Sequence, residues 1–446
     1  MMRQKWSQMG FMCLFIFMIG FMAACSSDNQ SAETSNGTDT ESTDEKVELR
    51  MLWWGSQDRH DRTLEVIDLY MEENPHVTIS PEFTGWDGYW EKMATQAAGE
   101  NLPDIIQMDY KYLAEYAGKD LLADLTPFVE SGVLDLSDVE DTYIDGGKLN
   151  DQLFAVNIGA NAFAMAVDNA MFEEAGVPKL EPGYTWDELK ERAKQLSDNL
   201  GEGVYGVQPN AGIMAFKHYL RQHNKWVYSE DGTELGYEDD QLLVDFLQIT
   251  VDMLESGAAA PPDVFMTAGA NVEQFPIVNE ETAVAMDVHS NQLIAIESAA
   301  GRPLDLMLHP SLEGGELGHY IKPGQFLSVS THSKEQEEAA KFISFFTNSI
   351  EANEILNAER GVPIAGKVRE HLKENASDAG KKMFEYVELA QEYSREIDPP
   401  DPQGSTEIES LFENEVADPI YYGEITPEEA AENFRAKASE ILAKNK

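Results

Sequence analysis

The chain has 446 residues, and its 32 Lys and Arg against 81 Asp and Glu give a formal net charge of −49 at pH 7. So negative a surface repels nucleic acid and anionic lipid headgroups, which excludes both as partners. A strongly solvated surface suited to salty or alkaline surroundings explains the charge, and a cation-storing protein is the alternative. The acids of SEDGTELGYEDD at 229–240 lack EF-hand spacing, so we interpret that segment as an exposed hairpin turn.

The N-terminal residues predict export and a membrane anchor. Two basic residues precede the apolar run GFMCLFIFMIGFMAAC, which no acidic residue interrupts. This is the pattern of an export signal, and the run is too short for a good membrane helix. MAAC at 22–25 resembles the lipobox of bacterial lipoproteins, which predicts a signal peptide at 1–24 and lipidation of Cys25. Ordinary cleavage after Ala24 is the alternative.

The segment 25–46 is rich in Ser, Thr, Asn, Asp and Glu, so it predicts a flexible tether. The two cysteines are Cys13 and Cys25, and Cys13 lies in the part to be removed. The folded body therefore has no disulfide and no cysteine metal site or nucleophile. No His shows metal-ligand spacing, so we predict neither a metal nor a cofactor. About 400 residues remain, more than one core usually supports, which predicts two domains.

Strands alternate with helices in the first part of the folded body. KVELRMLWW predicts a strand that ends at Trp54, and DRTLEVIDLYMEE at 61–73 predicts a helix with one apolar face. A strand over 77–83, a helix in WDGYWEKMATQAAGE and a short strand in LPDIIQMD follow. This β-α-β-α-β order predicts a largely parallel sheet covered by helices.

Capping residues predict the starts of three later helices. YTWDELKERAKQL carries a capping box from Thr185 to Glu188, and STHSKEQEEAAKFISFF has the same spacing from Ser333 to Gln336. TPEEAAENFRAKASEIL places Pro427 at the first helical position and predicts an amphipathic helix at the end of the chain.

Several segments occur in a distinctive order: the apolar strand at 47–54, YMEENPHVTI, LPDIIQMD, LLADLTPFV, GKLNDQLFAV leading to MAVDNAMFEEAGV, TWDELKERAKQL, FLSVSTHSKEQEEAAKFISFFTN and ERGVP. In this order they resemble extracellular solute-binding protein family 1, the sugar-binding lipoproteins that feed ABC importers. WWGSQDRHD, FTGWDGYW, HSNQ, ERGVP and DPPDPQGS are similar to members that serve uptake of pectin fragments of the rhamnogalacturonan type. Glu280 and Glu281 depart from the family, which often has Gly and a basic or small residue before the strand written here as TAVAM.

The resemblance implies an α/β, two-lobed periplasmic-binding-protein-like fold, with a largely parallel sheet flanked by helices in each lobe and a multi-segment hinge. Lobe 1 is expected at 46–156 plus 322–366, and lobe 2 at 157–321 plus 367–446. The implied function is capture of an oligosaccharide, derived from pectin or rhamnogalacturonan, by hinge closure and its delivery to the permease subunits of an ABC importer. We expect a monomer that Cys25 anchors to the outer face of the cytoplasmic membrane.

Ligands of open α/β sheets bind beyond the carboxyl ends of strands, and pockets favour domain interfaces. The segment from Trp54 to His60 follows such a strand. An indole can cover the C–H patches of a sugar ring while charged and amide groups bind its hydroxyls. Because successive strand side chains point to opposite faces, we expect Trp53 in the core and Trp54 at the opening. Core packing of both tryptophans is the alternative.

The same reasoning selects candidates at other strand exits, in aromatic loops and in the first crossing segment. Each has a structural alternative, such as helix capping for Asp109, backbone hydrogen bonding for Asn161 and an ion pair for Arg360. The expected ligand-binding residues are Trp54, Ser56, Arg59, His60, Trp86, Asp87, Tyr89, Asp109, Tyr110, Asn161, His218, Arg221, Trp226, Asp287, His289, Asn291 and Arg360.

We expect a uronic acid in the ligand, with carboxylate recognition by Arg59, His60 and either Arg221 or Arg360. An Arg fork binds a carboxylate through two charge-assisted hydrogen bonds. The competing hypothesis makes Arg59 and Arg62 partners of Asp58 and Asp61 and leaves a neutral plant-wall oligosaccharide as the ligand.

A secreted, tethered polysaccharide-degrading enzyme, either a glycoside hydrolase or a lyase, is the alternative function. With 81 acids, some carboxylate pair at catalytic separation is nearly guaranteed and carries no information. The sequence has no HExxH, no G-x-S-x-G, no P-loop and no G-x-G-x-x-G. A passive adhesin would not need two lobes with a cleft. We therefore predict a binding protein and not an enzyme.

Overall fold

A computed structural model describes residues 46–266, 272–399 and 401–445, apart from the side chains of Asp87 and Asp287. The predicted signal peptide, Cys25 and nearly all of the predicted tether lie outside these residues. The strands are β1 Val47–Trp54, β2 Val77–Thr84, β3 Ile105–Met108, β4 Lys148–Leu149, β5 Gln152–Leu153, β6 Val156–Asn157, β7 Ala160–Val167, β8 Tyr205–Gln208, β9 Thr282–His289, β10 Asp305–Met307, β11 Ile321–Pro323 and β12 Phe326–Val329.

Helices cover both main sheets. They are α1 Gln57–Glu73, α2 Trp86–Ala98, α3 Tyr110–Gly118, α4 Thr126–Glu130, α5 Asp141–Ile144, α6 Asn169–Ala175, α7 Trp186–Leu200, α8 Ile213–Gln222, α9 Gln241–Glu255, α10 Pro262–Phe265, α11 Leu293–Ala300, α12 Gln336–Asn348, α13 Ile350–Leu356, α14 Gly366–Asn375, α15 Asp378–Glu392, α16 Ser405–Phe412, α17 Asp418–Tyr421 and α18 Pro427–Leu442. Within the described ranges, no helix combines the length and apolarity needed to cross a membrane.

The first sheet has the strand order β2-β1-β3-β12-β6. The predicted β-α-β-α-β unit is confirmed, because β1 runs parallel to both β2 and β3, with Trp53 opposite Phe83 and Met51 opposite Ile105. Strand β12 joins this sheet antiparallel to both of its neighbours. The sheet is therefore mixed, and its parallel half places the exits of β1 and β3 at the same edge.

The second sheet has the order β10-β7-β9-β8, and β11 also pairs with β7. Strand β7 runs antiparallel to β9, β10 and β11, while β8 and β9 are parallel. The expectation of a largely parallel sheet is wrong here. The direction of a strand depends on long connections, and a local hydrophobic pattern carries no information about them. The predicted α/β class is nevertheless correct, with two mixed sheets in place of largely parallel ones.

Three chain segments cross between the sheets side by side: 157–160, which joins β6 to β7; 323–326, which joins β11 to β12; and 360–362. Hydrogen bonds connect the three, including a reciprocal pair between Ala160 and Val362. A Cβ at Gly159 or at Gly324 would lie 2.5 or 2.3 Å from the carbonyl oxygen of Arg360. Only glycine permits this close approach. We call these segments the crossing bundle.

The predicted helix caps have mixed outcomes. The capping box of Thr185 and Glu188 is confirmed, and so is Pro427 at the first position of α18. The box from Ser333 to Gln336 is wrong: Glu335 is the residue that precedes α12, and the Ser333 hydroxyl accepts a hydrogen bond from the Glu335 backbone instead. Local turn geometry therefore shifts the start of α12 by two residues from the position that the spacing predicts.

Two further local expectations can be compared with the structure. An isolated antiparallel bridge between Tyr228 and Leu235 closes the acidic segment 229–234 into a turn, as predicted. Glu280 has φ of +60°, a backbone conformation that glycine adopts most readily. The turn before β9 thus keeps a glycine-like geometry although its sequence departs from the family pattern.

Candidate ligand-binding cleft

A cavity of about 360 Å³, which we call the central cavity, lies where β3 ends, β11 crosses and the chain returns near residue 398. Asp109 and Tyr110 line it from the β3 exit, as the strand-exit rule predicts. The other walls come from Lys217 on α8, from Tyr320 and Lys322 around β11, and from the segment 397–409.

Two more cavities adjoin the central one. The first, of about 740 Å³, shares Lys111 and Asp401 with it and continues past Tyr112. The second, of about 330 Å³, shares Met214 and reaches Asn210, whose buried Nδ2 has no hydrogen-bond partner in the described part of the chain. The three cavities adjoin through these shared lining residues, and we call them together the groove.

Direct hydrogen bonds join the opposite walls of this groove. The Tyr110 hydroxyl donates to the Asp398 carbonyl at 2.6 Å, and Lys111 Nζ donates to Thr406 Oγ1 at 2.9 Å. Tyr110 and Lys111 begin α3, which follows the first sheet, whereas α16, which contains Thr406, packs into the core of the second sheet. The described conformation therefore has its walls in contact.

Arg221 holds the far wall in place from behind. Its side chain has no exposed surface, and its guanidinium donates to the carbonyls of Gly318, His319, Arg395 and Glu396 and to the Asp398 carboxylate. This corrects the expectation that Arg221 contacts the ligand. All three of its guanidinium nitrogens donate hydrogen bonds inside the protein, so its role is to fix the segment that carries Asp398.

Three lysines converge on the central cavity: Lys111, Lys217 and Lys322. Lys217 Nζ contacts both oxygens of Asp401 at 2.9 and 2.8 Å, and Lys111 bonds Thr406. Lys322 remains accessible from the cavity, and its side chain has no hydrogen bond or ion pair with any described residue. Burial lowers the pKa of Lys322, while the charges of Asp109 and Glu409 act in the opposite direction. Burial likewise raises the pKa of Asp109.

The tryptophans form an aromatic cluster beside the groove. Trp53 is fully buried, as expected, but Trp54 is also only 7% exposed and packs edge-on against Trp86 and Tyr89 with ring centroids about 5 Å apart. Tyr89 is fully buried, and its hydroxyl donates to the Gln107 carbonyl, so it supports the cluster rather than a ligand. Trp86 is 43% exposed and presents the open ring face of this cluster.

The basic residues expected to bind a carboxylate lie elsewhere, in structural contacts. Arg59 forms a salt bridge with Glu359, and the buried His60 accepts a hydrogen bond from Trp53 Nε1 through its Nδ1. Arg360 is buried, and burial lowers its pKa to about 9. None of these side chains lines the central cavity. The competing pairing within the segment is seen for Arg62 with Asp58 and not for Arg59.

The remaining candidates around α1, α8 and β9 are scattered. Ser56 caps α1, and Asp109 caps α3 as well as lining the cavity. His218 is buried against His309 and His319, and Trp226 packs under the guanidinium of Arg395. His218 is enclosed by protein, which corrects its expected place in the ligand site, whereas Trp226 is partly exposed and its contact with a ligand stays a prediction.

Asn161 faces Lys322 across the β7–β11 pair, and its buried Oδ1 has no partner in the described chain. His289 is partly buried near Phe163, and burial lowers its pKa to about 4. Asn291 is exposed in the turn after β9. The side chains of Asp87 and Asp287 lie outside the described atoms.

Sequence reasoning missed most of the groove's charged lining. It did not select Lys217, Lys322, Asp398, Asp401 or Glu409. A signal was present for two of them, because DPPDPQGS contains Asp398 and Asp401 and had been recognised as a family-like motif. Lys322 has no comparable local signal, since β11 is only three residues long. In the described residues, no group of three or more His, Cys, Asp or Glu is arranged to hold a metal ion.

The model of the family described as bacterial extracellular solute-binding protein matches residues 57–352. The chain belongs to this family. The extracellular solute-binding protein family 1 structure from Alicyclobacillus acidocaldarius is 28% identical, with a TM-score of 0.82 and coverage of 90% of this chain and 99% of that chain. A periplasmic oligogalacturonide binding protein from Yersinia enterocolitica is 26% identical, with a TM-score of 0.74 and coverage of 90% and 100%. A periplasmic solute binding protein from Pectobacterium atrosepticum shares the fold at 22% identity and a TM-score of 0.73, with coverage of 90% and 99%.

The predicted family and α/β fold class are thereby confirmed, and so is the prediction that the chain is not an enzyme. As a family member, the chain is a solute-binding protein of an ABC importer and acts outside the cytoplasmic membrane. Its chemistry is reversible capture, so its ligand site must bind a solute tightly enough to collect it and then release it unchanged.

Proposed function

We propose that this solute-binding protein captures an oligosaccharide derived from pectin and delivers it to the permease subunits of its importer. The observation that carries the proposal is the groove of three adjoining cavities, each of a volume typical of ligand sites. An extended groove suits a chain of sugar units better than a single small solute. The exposed Trp86 and its neighbour Tyr112 offer aromatic faces for sugar rings beside the groove.

Two further observations support pectin as the source. The related Yersinia protein is an oligogalacturonide binding protein, and its similarity extends over 90% of this chain. The segments WWGSQDRHD, FTGWDGYW and DPPDPQGS are similar to proteins that serve uptake of rhamnogalacturonan-type fragments. Of these, DPPDPQGS contributes Asp398, Asp401 and Ser405 to the groove wall.

A thermal-shift series tests the substrate. Fractionated digests of polygalacturonan and rhamnogalacturonan should raise the melting temperature, because a ligand that binds only the folded state stabilises it by RT ln(1 + [L]/Kd). A xylan digest serves as the control, and chromatography after incubation should return every oligosaccharide intact. The pectin assignment fails if only the xylan digest shifts the melting temperature, or if no fraction does.

We further propose that two lobes, 46–156 plus 322–366 and 157–321 plus 367–446, close on the ligand about the crossing bundle. The sheet order supports this division, since β6 and β12 belong to the first sheet and β7 and β11 to the second. Ligand that contacts both walls stabilises the closed form selectively. Small-angle scattering should show a smaller radius of gyration with saturating pectin oligosaccharide. An unchanged radius at saturation argues against hinge closure.

The proposed location is the outer face of the cytoplasmic membrane, with Cys25 as the lipidated N-terminal residue. Two or more acyl chains hold a protein firmly at a membrane, whereas one chain binds only marginally. Cys25→Ser should therefore release the protein into the medium or leave it unprocessed, as fractionation and immunoblotting would show. Normal processing and membrane retention of this variant contradict the anchor. We propose that the protein works as a monomer.

A further inference from the structure

We propose that Lys322 makes the groove selective for an acidic ligand, by binding the carboxylate of a uronic acid unit inside the central cavity. This inference rests on the proposed oligosaccharide function and assigns the chemistry of one subsite within it. The expected carboxylate ligands Arg59, Arg221 and Arg360 do not serve this purpose, since each is paired or enclosed by protein.

The backbone fixes the direction of the Lys322 side chain. It is the middle residue of β11, which pairs antiparallel with β7, and its neighbours Ile321 and Pro323 are both buried. Because successive strand side chains alternate between faces, Lys322 points away from the core and into the cavity. The crossing bundle holds β11 at the junction between the two sheets, so this ammonium lies at the centre of the groove.

Of the three lysines that line the cavity, Lys322 is the one whose side chain has neither a hydrogen bond nor an ion pair among the described residues. Asp398 is bound by Arg221, and Asp401 is bound by Lys217, which leaves those two acids and two bases internally matched. Lys322 has no such partner among the described residues, although the chain carries 81 acids. Lys322 is exposed to the cavity, so an incoming carboxylate can reach its ammonium and form charge-assisted hydrogen bonds with it.

Asp109 and Glu409 also face this region, and their charges attract the Lys322 ammonium. Both carboxylates repel an anionic ligand, so the ligand carboxylate must compete with them for Lys322. The repulsion from Asp109 is the easier to remove. Burial raises the pKa of Asp109, so this group takes up a proton more readily as a second carboxylate approaches. Asp109→Asn should therefore strengthen binding of an acidic sugar selectively, while the amide keeps the capacity to cap α3.

The cavity also offers acceptors, because the carboxylates of Asp109 and Glu409 line it together with Lys322. This lining suits a sugar unit that carries both a carboxylate and hydroxyl groups. The carboxylate binds Lys322, and a ring hydroxyl donates to one of the acids. A purely neutral sugar offers the second interaction but only a weaker, uncharged partner for the lysine.

Calorimetry with two matched trisaccharides tests the inference: trigalacturonate and its carboxyl-reduced, uncharged counterpart. Wild type should prefer the acid, and Lys322→Met should weaken acid binding by at least about thirtyfold while changing the reduced sugar by less than about threefold. Lys322→Arg should restore the preference. Lys119→Met is the control, because it removes the same charge from the exposed end of α3 and should alter neither affinity.

Equal losses for both sugars in Lys322→Met overturn the inference, and so does a wild type that binds the reduced sugar as well as the acid. The wild-type comparison decides even if the variant does not fold. In both of those outcomes, binding of the reduced sugar leaves the oligosaccharide function intact. Absence of binding by both trisaccharides and by every pectin fraction refutes the proposed function itself.

Discussion

Arg59 Nη2 lies 2.8 Å from Glu359 Oε1, and Arg59 Nε donates to both carboxylate oxygens of Glu359 at 2.9 Å. The two residues are 300 positions apart, and both side chains are largely buried. Their pairing ties the first turn of α1 to the residue before Arg360, at the edge of the crossing bundle. Arg59 therefore has a carboxylate partner within the protein and is not available to a ligand.

Arg59→Ala should lower the free energy of unfolding by about 1–3 kcal/mol, because Glu359 is left partly buried without its partner. Urea denaturation measures this change. The affinities for trigalacturonate and its reduced form should change by the same factor. Lys119→Ala, which removes an exposed pair, should cost less than about 0.5 kcal/mol. A loss confined to the acidic sugar would restore Arg59 as a ligand-binding residue.

Arg221→Met should destabilise the protein by about 3–5 kcal/mol, since the buried acceptors that Arg221 serves lose their donor. Affinity for acidic and neutral sugars should fall together, because the wall that carries Asp398 loses its support. Urea denaturation and calorimetry are the measurements. Arg192→Met, on the partly exposed face of α7, should cost less than about 1 kcal/mol. A variant with wild-type stability would show that the segment 395–398 is held by other contacts.

Local patterns predicted the first three strands and the helices between them within a few residues. Their signals are short in range: apolar alternation over 77–83, and a helix stop at Asn74–Pro75. The start of α1 at Gln57 was missed because Ser56 caps the helix without a capping-box partner. The antiparallel directions of β7 and β9 have no local signature, since they depend on a connection of more than a hundred residues.

The sequence predicted residues of the candidate site only where they directly follow a strand. Asp109 and Tyr110 follow β3 directly, so the strand-exit rule found them. Lys322 lies more than two hundred residues away in sequence, and only the crossing of β11 beside β7 brings it to the same cavity. The burial of Arg221 depends on carbonyls of two distant segments, and backbone acceptors leave no trace in the amino-acid sequence.

Three buried histidines, His218, His309 and His319, should make stability depend on pH, with ring centroids 4.6–5.7 Å apart. Burial lowers the pKa of His309 to about 4 and lowers those of His218 and His319 well below the usual value, and the charge of Arg221 acts in the same direction on the latter two. The unfolded chain therefore takes up protons first as the pH falls. Stability is full above about pH 6.5 and falls toward pH 4, at about 1.4 kcal/mol per pH unit for each group.

His309→Gln should reduce the slope of unfolding free energy against pH between pH 6.5 and 4 by the contribution of one histidine, about 1.4 kcal/mol per pH unit. Its stability at neutral pH should also fall, because the hydrogen bond from His309 Nε2 to the Met286 carbonyl is altered. Urea denaturation across the pH range separates the two effects. An unaltered slope in His309→Gln would mean that His309 is protonated equally in the folded and unfolded states.

Lys322→Met should stabilise the ligand-free protein slightly, by less than about 1 kcal/mol at neutral pH, because it removes an ammonium whose pKa the surrounding protein lowers while solvent screens part of the effect. The pKa of Lys322 is lowered in the folded state, so the unfolded chain binds its proton more tightly. The cost of Lys322 is therefore complete at neutral pH and disappears only as the pH rises toward the unfolded value near 10.5.

With saturating trigalacturonate, wild type should become more stable than Lys322→Met. Only the wild type gains the lysine–carboxylate contact, and tighter ligand binding stabilises the folded state further. Differential scanning calorimetry with and without the trisaccharide measures both comparisons on the same samples. Lys119→Met, with the same loss of charge at an exposed position, should change neither. If ligand-free Lys322→Met is instead less stable than wild type, then Lys322 stabilises the fold through Asp109 and Glu409. The inference that Lys322 is available to a ligand is then wrong.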